Sequence, residues 1–216
     1  MPSIQTSLIR VALSASLAGC ILPAENSQVT FRDTVPSIDW TQPPDFDSLR
    51  LAYDQRSDLQ DRCVLGRPLE QALEHAAQQR WRKLLALSGP WLQSCPIDLD
   101  FHALHADALA GLERGDEAEL HRQWRIGLVN STLRSGDGRK PESAYIVVSK
   151  DEAEAVIRAL GLTVVKQLPA RNGLDSYEVV SQQGARSTLY FNASTSLGRM
   201  FHEAPLPPRR GTDRFR

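Results

Sequence analysis

Three histidines in the middle of the chain are the side chains best suited to chemistry. His102 and His105 are one helical turn apart, and His121 follows in the next predicted helix. Three imidazoles that leave one coordination position open are a zinc-enzyme arrangement. The spacing leaves three interpretations: a hydrogen-bonded structural cluster, a zinc site or an acid–base pair.

The geometry of a helical hairpin limits which of these histidines could bind the same metal ion. If an antiparallel hairpin turns near Gly115, His102 and His121 differ by roughly 10 Å along the helix axes, whereas His105 and His121 differ by about 6 Å. His105 and His121 are therefore the candidate metal pair. A further ligand would have to come from elsewhere: Asp137, Glu142 or His75.

The stretch from Ser135 to Glu152, SGDGRKPESAYIVVSKDE, also concentrates acids and glycines. A phosphate loop needs its glycines after a strand and before a helix, but these follow a predicted helix and precede a strand. A calcium loop would need acids where two basic residues follow Gly138. We interpret the stretch as a connection, in which Gly136 supplies a left-handed residue and Asp137-Gly138 turns the chain.

Residues 1–19 predict an export signal, because their apolar run from Val11 to Ala18 is too short to span a bilayer. Leu17-Ala18-Gly19-Cys20 resembles a bacterial lipoprotein box, in which the Cys20 thiol receives a diacylglyceryl group. Acyl chains there would anchor the protein to a membrane surface. By resemblance to enteric lipoproteins, Ile21 favours the outer membrane. An ordinary cleaved signal, or an apolar N-terminus with an incidental cysteine, is the alternative.

Export also predicts a disulfide. In an oxidising periplasm, Cys63 and Cys95 have only each other as partners once Cys20 is lipidated. Closing a loop of about thirty residues stabilises a fold by about 3 to 4 kcal/mol in the loop-entropy model. Two buried free thiols are the alternative.

The composition is typical of a soluble globular protein. The 216 residues are 41% hydrophobic and 24% charged, with a net charge of −1. This near-neutral charge, with lysines and arginines spread along the chain, gives no sign of a basic surface that would bind nucleic acid. We predict a lipidated, proline-containing tether over residues 20–44 and a flexible basic tail over residues 193–216.

Residues 45–135 are predicted to be a helical region whose short turns make neighbouring helices antiparallel. Four helices are predicted. The first begins near Asp45, and the second runs from Pro68 to Gly89. The third runs from Asp98 or Asp100 to Gly115, and the fourth runs from Asp116 to Gly136. The turn at Gly115 resembles a tetratricopeptide-like helical hairpin, without a second copy at a fixed period.

Residues 136–192 are predicted to form a small β-α-β-β-β region, so the fold class is α+β. SAYIVVS is a short strand, and a capping box from Ser149 to Glu152 opens a helix that Gly161 closes. The strands LTVVKQL, DSYEVVS and STLYFNA follow, with an Asn172-Gly173 hairpin signal between the first two. An antiparallel sheet with one covering helix is expected.

Several of these segments together resemble a known bacterial family. The segments are LRLAYDQRSD, PIDLDFHAL, GDEAELHRQWRIGLVNSTLRSGDG, PESAYIVVSKDEAEAVIRALG and STLYFNAS, and they cover roughly residues 45–192. They look like the family catalogued as domain of unknown function 4919. The resemblance implies a fold and a bacterial origin more than a function. Its polar positions are the candidate catalytic residues: His102, His121, Asp137 and Glu142.

The function expected from the sequence is that of a lipid-anchored periplasmic interaction module without a cofactor. It would bind another envelope protein through its helical face or a strand edge. One alternative is a metal-assisted hydrolase built from His105, His121 and an acidic residue, with zinc. Another is an immunity-type lipoprotein that neutralises a toxin in the periplasm.

Overall fold

The computed structural model describes residues 38–171 and 174–193. The predicted signal peptide, Cys20, most of the tether, the Asn172-Gly173 turn and nearly all of the predicted tail lie outside these residues. Within the described ranges, no helix is long and apolar enough to cross a membrane.

Six α-helices and four strands make up the described fold, which confirms the α+β class and the β-α-β-β-β order. The helices are α1 (Phe46–Asp54), α2 (Leu69–Ala77), α3 (Trp81–Ser94), α4 (Leu99–Gly111), α5 (Gly115–Leu133) and α6 (Lys150–Ala159). The strands are β1 (Tyr145–Ile146), β2 (Leu162–Arg171), β3 (Leu174–Ser181) and β4 (Arg186–Asn192). A π-helical turn (Gln60–Leu65) follows α1, and a 3-10 turn (Pro141–Ser143) precedes β1.

The single helix predicted from Pro68 to Gly89 is wrong at both its middle and its end. The chain breaks between α2 and α3, where Gln79 takes a left-handed conformation with φ 53°. Helix α3 then continues through Gly89 and Pro90. Its last turn places Leu92 in the core with no exposed surface, so packing outweighs the poor helix propensity of glycine and proline there.

The predicted caps of α4 and α5 have different outcomes. The Asp98 carboxylate accepts hydrogen bonds from the backbone N–H groups of Asp100 and Phe101, so the cap of α4 is confirmed. Helix α4 ends at Gly111 rather than Gly115, and α5 begins at Gly115 with no side-chain cap. The prediction that Asp116 caps α5 is therefore wrong.

The sheet has the order β1-β4-β3-β2 and is mixed rather than antiparallel. Strands β2, β3 and β4 pair antiparallel with their neighbours, but β1 runs parallel to β4. One of the two hydrogen bonds of the predicted capping box is present, because the Ser149 hydroxyl accepts from the Glu152 N–H. The Glu152 carboxylate accepts from the Val148 N–H instead of the Ser149 N–H. Helix α6, which Ser149 caps, packs on one face of the sheet.

The two largest apolar clusters of the described residues have different places in the fold. The first joins the sheet and α6 to α5, through residues that include Leu128, Val156, Ile157, Tyr177 and Phe191. The second lies among α2, α3 and α4, through Ala72, Leu84, Leu92, Phe101 and Leu104. The α4–α5 hairpin bridges the two clusters and carries all three histidines of interest.

Candidate functional site

The three histidines meet on facing sides of α4 and α5, and we call His102, His105 and His121 the histidine cluster. The Nδ1 atoms of His102 and His121 are 3.1 Å apart, and the ring centroids of His105 and His121 are 4.3 Å apart. The expectation that His102 lies too far from His121 is therefore wrong. The hairpin turns near Glu113, not Gly115, which reduces their axial offset to about 4.5 Å.

Hydrogen bonds define the tautomers of His102 and His121. The Nε2 atom of His102 is 2.9 Å from the carbonyl oxygen of Pro96, which can only accept, so Nε2 carries the proton. In the neutral ring, Nδ1 of His102 must then accept. His121 therefore donates from its own Nδ1 to Nδ1 of His102.

His105 is held from the opposite side by α3. Its Nδ1 lies 2.7 Å from the Ser88 hydroxyl, which itself donates to the Leu84 carbonyl at 2.7 Å. Because that hydroxyl has a single proton, His105 donates from Nδ1 to Ser88. Ser88 is fully buried, so this pair is not a nucleophile and base facing a substrate.

Two tryptophans close the cluster. The Trp40 ring is 4.9 Å from the His121 ring and 5.5 Å from the His102 ring, centroid to centroid. The Trp124 indole N–H donates to the Trp40 carbonyl at 2.9 Å. The end of the predicted tether is therefore packed against α4 and α5.

Burial makes the cluster resist protonation. Desolvation lowers the pKa of His102 to about 4, and it does the same for His105. Desolvation lowers the pKa of His121 to about 3, with further effects from the neighbouring histidines. The charged groups that act on the cluster are Asp98, Arg114, Glu117 and Arg125. At neutral pH the cluster is uncharged, as a hydrogen-bonded core should be.

The other candidate ligands do not join the histidines. In the described part of the chain, no three His, Cys, Asp or Glu side chains are arranged to hold a metal ion. Asp137 follows the far end of α5, which lies about 18 Å along the helix from His121. Its Oδ1 accepts from the Arg139 N–H and the Ser143 hydroxyl, and the Ser143 bond lowers its pKa. Glu142 is exposed on the 3-10 turn.

The glycines around Asp137 have structural roles, but not the roles predicted. Gly138, with φ +65°, is the left-handed residue, and a side chain there would overlap the Tyr145 ring. Gly136 lacks the predicted positive φ. It is needed because a Cβ would overlap the carbonyl oxygens of Ser143 and Ala144. The stretch is a connection, as its sequence indicated.

Sequence reasoning missed a buried ion pair between α1 and α6. The Arg50 guanidinium, with 1% of its surface exposed, donates from Nε to the Glu152 carboxylate at 2.8 Å. It also donates from Nη2 to the Ile146 carbonyl at 2.8 Å. Its weak sequence signal is the spacing of three from Tyr53, which places Arg50 on the buried side of α1.

The predicted disulfide between Cys63 and Cys95 is present and joins the π-helical turn to the C-terminal end of α3. Nearby, the Arg67 guanidinium makes two hydrogen bonds to Asp98, at 2.7 and 2.8 Å. A cavity of about 30 Å³ lies against these groups. It has room for about one water molecule but not for an organic substrate.

The family comparison adds the identity of the domain. Domain of unknown function 4919 matches residues 67–202. The chain belongs to this family. The match contains the histidine cluster, Asp137, Glu142 and the whole sheet, but α1 and Cys63 precede it. It also extends ten residues beyond the end of β4.

No curated protein and no solved structure matches this family member. The features of its described residues that bear on function are a neutral histidine cluster covered by Trp40 and Trp124, a buried Arg50–Glu152 pair and a disulfide.

Proposed function

We propose that this protein is an exported, lipid-anchored interaction module of the bacterial cell envelope. The observation that carries the proposal is the Cys63–Cys95 disulfide, because such bonds persist in oxidising compartments such as the periplasm. It agrees with the export signal predicted over residues 1–19 and the lipoprotein box predicted at Cys20. Lipid on Cys20 would hold the described domain at the membrane surface, with outer-membrane placement favoured by Ile21.

The geometry of the histidine cluster favours a structural role for it over a catalytic one. Each of its rings is committed to a hydrogen bond with a neighbouring group, and Ser88 is buried beneath His105. A hydrolase would need an imidazole that faces a substrate cavity and a bound or attacking water. The neutral, tryptophan-covered arrangement instead stabilises the α4–α5 hairpin.

Strand β2 offers the surface that a protein partner would use. It is one of the two edge strands of the sheet, and its residues 163–167 are exposed. Val164 and Val165 expose 37% and 46% of their surfaces. A sheet edge of this kind binds an extended segment by adding it as a further strand, through main-chain hydrogen bonds and alternating side-chain contacts.

An irregularity in β2 limits the length over which a partner can pair with this strand. The pairing of β2 with β3 shifts register between Val164 and Lys166, which marks an irregularity at Val165. A bulge and an exposed lysine hinder strand addition at that point, both for a second copy and for any other chain. Because export would place the domain in the cell envelope, we infer that the partner is an envelope protein that contributes one short extended segment.

A strand-edge variant tests this function. The protein is isolated from its own cell membranes after chemical cross-linking, as wild type and as Val165→Lys. The matched control is Ile126→Lys, because Ile126 is 58% exposed but lies on α5. We expect a stoichiometric complex that Val165→Lys removes and Ile126→Lys retains.

Other outcomes separate the remaining functions. A complex that survives Val165→Lys would contradict the β2 surface. Bound zinc with hydrolytic turnover that His121→Ala abolishes would replace the binding module with a hydrolase. A tight one-to-one complex with a periplasmic toxin would identify an immunity role.

A further inference from the structure

Helix α6 leaves an apolar side chain open beside the edge of the sheet. Leu160 lies at helical spacing from Val156 and Ile157, so it continues the stripe by which α6 packs on the sheet. Only Gly161 separates Leu160 from the start of β2. Yet Leu160 exposes 38% of its surface. The packing stripe of α6 therefore ends in an apolar side chain that the fold covers only in part.

Val164 adds to this apolar surface from the side of the strand. It pairs with Val179, whose side chain is buried in the core beneath α6, so Val164 lies on the face of the sheet that α6 covers. In the described sheet β2 has no neighbour on its other side, and Val164 is partly exposed there. We call Leu160 and Val164 together the α6–β2 surface. It is suited to one apolar side chain of a strand added beside β2.

The irregularity at Val165 decides the face on which the next charged side chain lies. In a regular strand Val164 and Lys166 would share a face, because side chains alternate with a period of two. Here their partners on β3 are Val179 and Glu178, which are consecutive residues and therefore point to opposite faces. Lys166 lies on the face away from α6.

Lys166 places a positive charge at this edge of the opposite face. It is exposed, and among the described residues it forms no ion pair, although Glu178 is its partner across the strands. An edge lysine hinders the addition of a strand. A carboxylate beside it on the added strand would offset that effect, because opposite charges on neighbouring strands attract each other.

We propose that the segment that binds β2 carries an apolar residue against the α6–β2 surface and an acidic residue beside Lys166. The two residues lie on opposite faces of the added strand, so they are an odd number of positions apart in its sequence, either adjacent or three apart. A regular β2 would require an even number instead. This inference rests on the proposed function of β2 as a binding edge, and it adds the side-chain chemistry of the partner.

Peptide selection by the full chain tests this chemistry. The probe is a random library of displayed dodecapeptides, and binders are selected on immobilised wild type and on variants. Peptides enriched by the wild type are expected to carry a large apolar residue and an aspartate or glutamate at an odd spacing. Lys166→Glu is expected to replace the preference for acids by a preference for lysine or arginine and to retain the apolar residue. Such a new preference cannot come from an unfolded variant.

Two further variants complete the design. Leu160→Asp is expected to reduce the enrichment of the apolar residue severalfold and to retain that of the acidic residue. The matched control Lys83→Glu makes the same charge change at an exposed position of α3. It is expected to keep both preferences of the wild type.

The outcomes distinguish this inference from the function on which it rests. If Val165→Lys abolishes the enrichment while Lys166→Glu leaves the preference for acids unchanged, β2 remains the binding edge and the proposed chemistry is wrong. An even spacing of the two residues would overturn it as well. Enrichment that Val165→Lys does not alter, or no enrichment by the wild type, would contradict both the binding edge and the chemistry of its partner.

Discussion

Acid should destabilise this protein through its histidine cluster. In the unfolded chain each imidazole has a pKa near 6.5, whereas burial lowers the pKa to about 4 for His102 and about 3 for His121. Between these values the unfolded chain binds more protons than the folded chain. The free energy of unfolding therefore falls as the pH drops below about 6.5, and this loss ends once the pH is below the folded-state pKa values.

The size of the effect follows from these pKa values. From pH 6.5 down to pH 5, a span of about 1.5 pH units, the imidazoles take up protons only in the unfolded chain. Over each of these pH units, one such imidazole lowers the free energy of unfolding by about 1.4 kcal/mol. Each buried ring therefore costs about 2 kcal/mol, so His102 and His121 together cost about 4 kcal/mol. His105 is only half-buried and adds less. This loss is a substantial fraction of a domain stability of about 5 to 15 kcal/mol.

Urea unfolding at pH 7.5, 6 and 5 measures the loss. In the variant His102→Gln, the drop in the free energy of unfolding between pH 7.5 and pH 5 is expected to be smaller by about 2 kcal/mol. The reason is that an amide can donate to the Pro96 carbonyl but does not titrate in this range. His75→Gln lies on α2, outside the cluster, and is expected to retain the wild-type loss. A wild-type stability that stays constant from pH 7.5 to pH 5 would refute the buried, neutral cluster.

Three further predictions concern structural contacts. Replacing both Cys63 and Cys95 by serine should lower the free energy of unfolding by about 3 to 4 kcal/mol in urea titrations, because the unfolded chain regains the freedom of the loop. Glu152→Ala should cost about 3 to 5 kcal/mol by the same assay, since it leaves the Arg50 guanidinium buried without its carboxylate. Gly138→Ala should cost at least about 1 to 2 kcal/mol in thermal unfolding because of its positive φ.

Control variants at exposed positions distinguish the loss of each contact from a general loss of stability. Glu154→Ala removes an exposed ion pair with Arg158 and should cost less than about 1 kcal/mol. If Glu152→Ala costs no more than Glu154→Ala, the pair is not buried in solution. Gly184→Ala shares the positive φ of Gly138 but has open space around it in the described structure, so it should cost less. Unchanged stability after reduction of the disulfide would contradict the loop contribution.

Local patterns predicted the α+β order, because each element after Gly138 carries its own signal. Ser149 caps α6 by accepting from the Glu152 N–H, and the strands that follow are rich in β-branched residues. The parallel pairing of β1 with β4 could not be predicted, since it depends on contacts between segments about 45 residues apart. The break at Gln79 also lacked a signal, because neither glycine nor proline marks it.

The sequence predicted which histidines form the candidate site but not the distances between them. Spacing identified His102, His105 and His121, yet the distance between His102 and His121 depends on where the hairpin turns. A shift of about two residues in that turn brought the two rings into contact. The buried pair of Arg50 and Glu152 joins positions 102 residues apart, and no local pattern connects them.

We propose that this domain works at a membrane surface as a tethered binding module. Native mass spectrometry of the protein purified from its own cell membranes tests this proposal. We predict a mature chain that begins at Cys20, carries extra mass equal to three acyl chains and has a stoichiometric protein partner. A chain with no lipid and no partner, with zinc bound instead, would refute the tethered module and favour an enzyme.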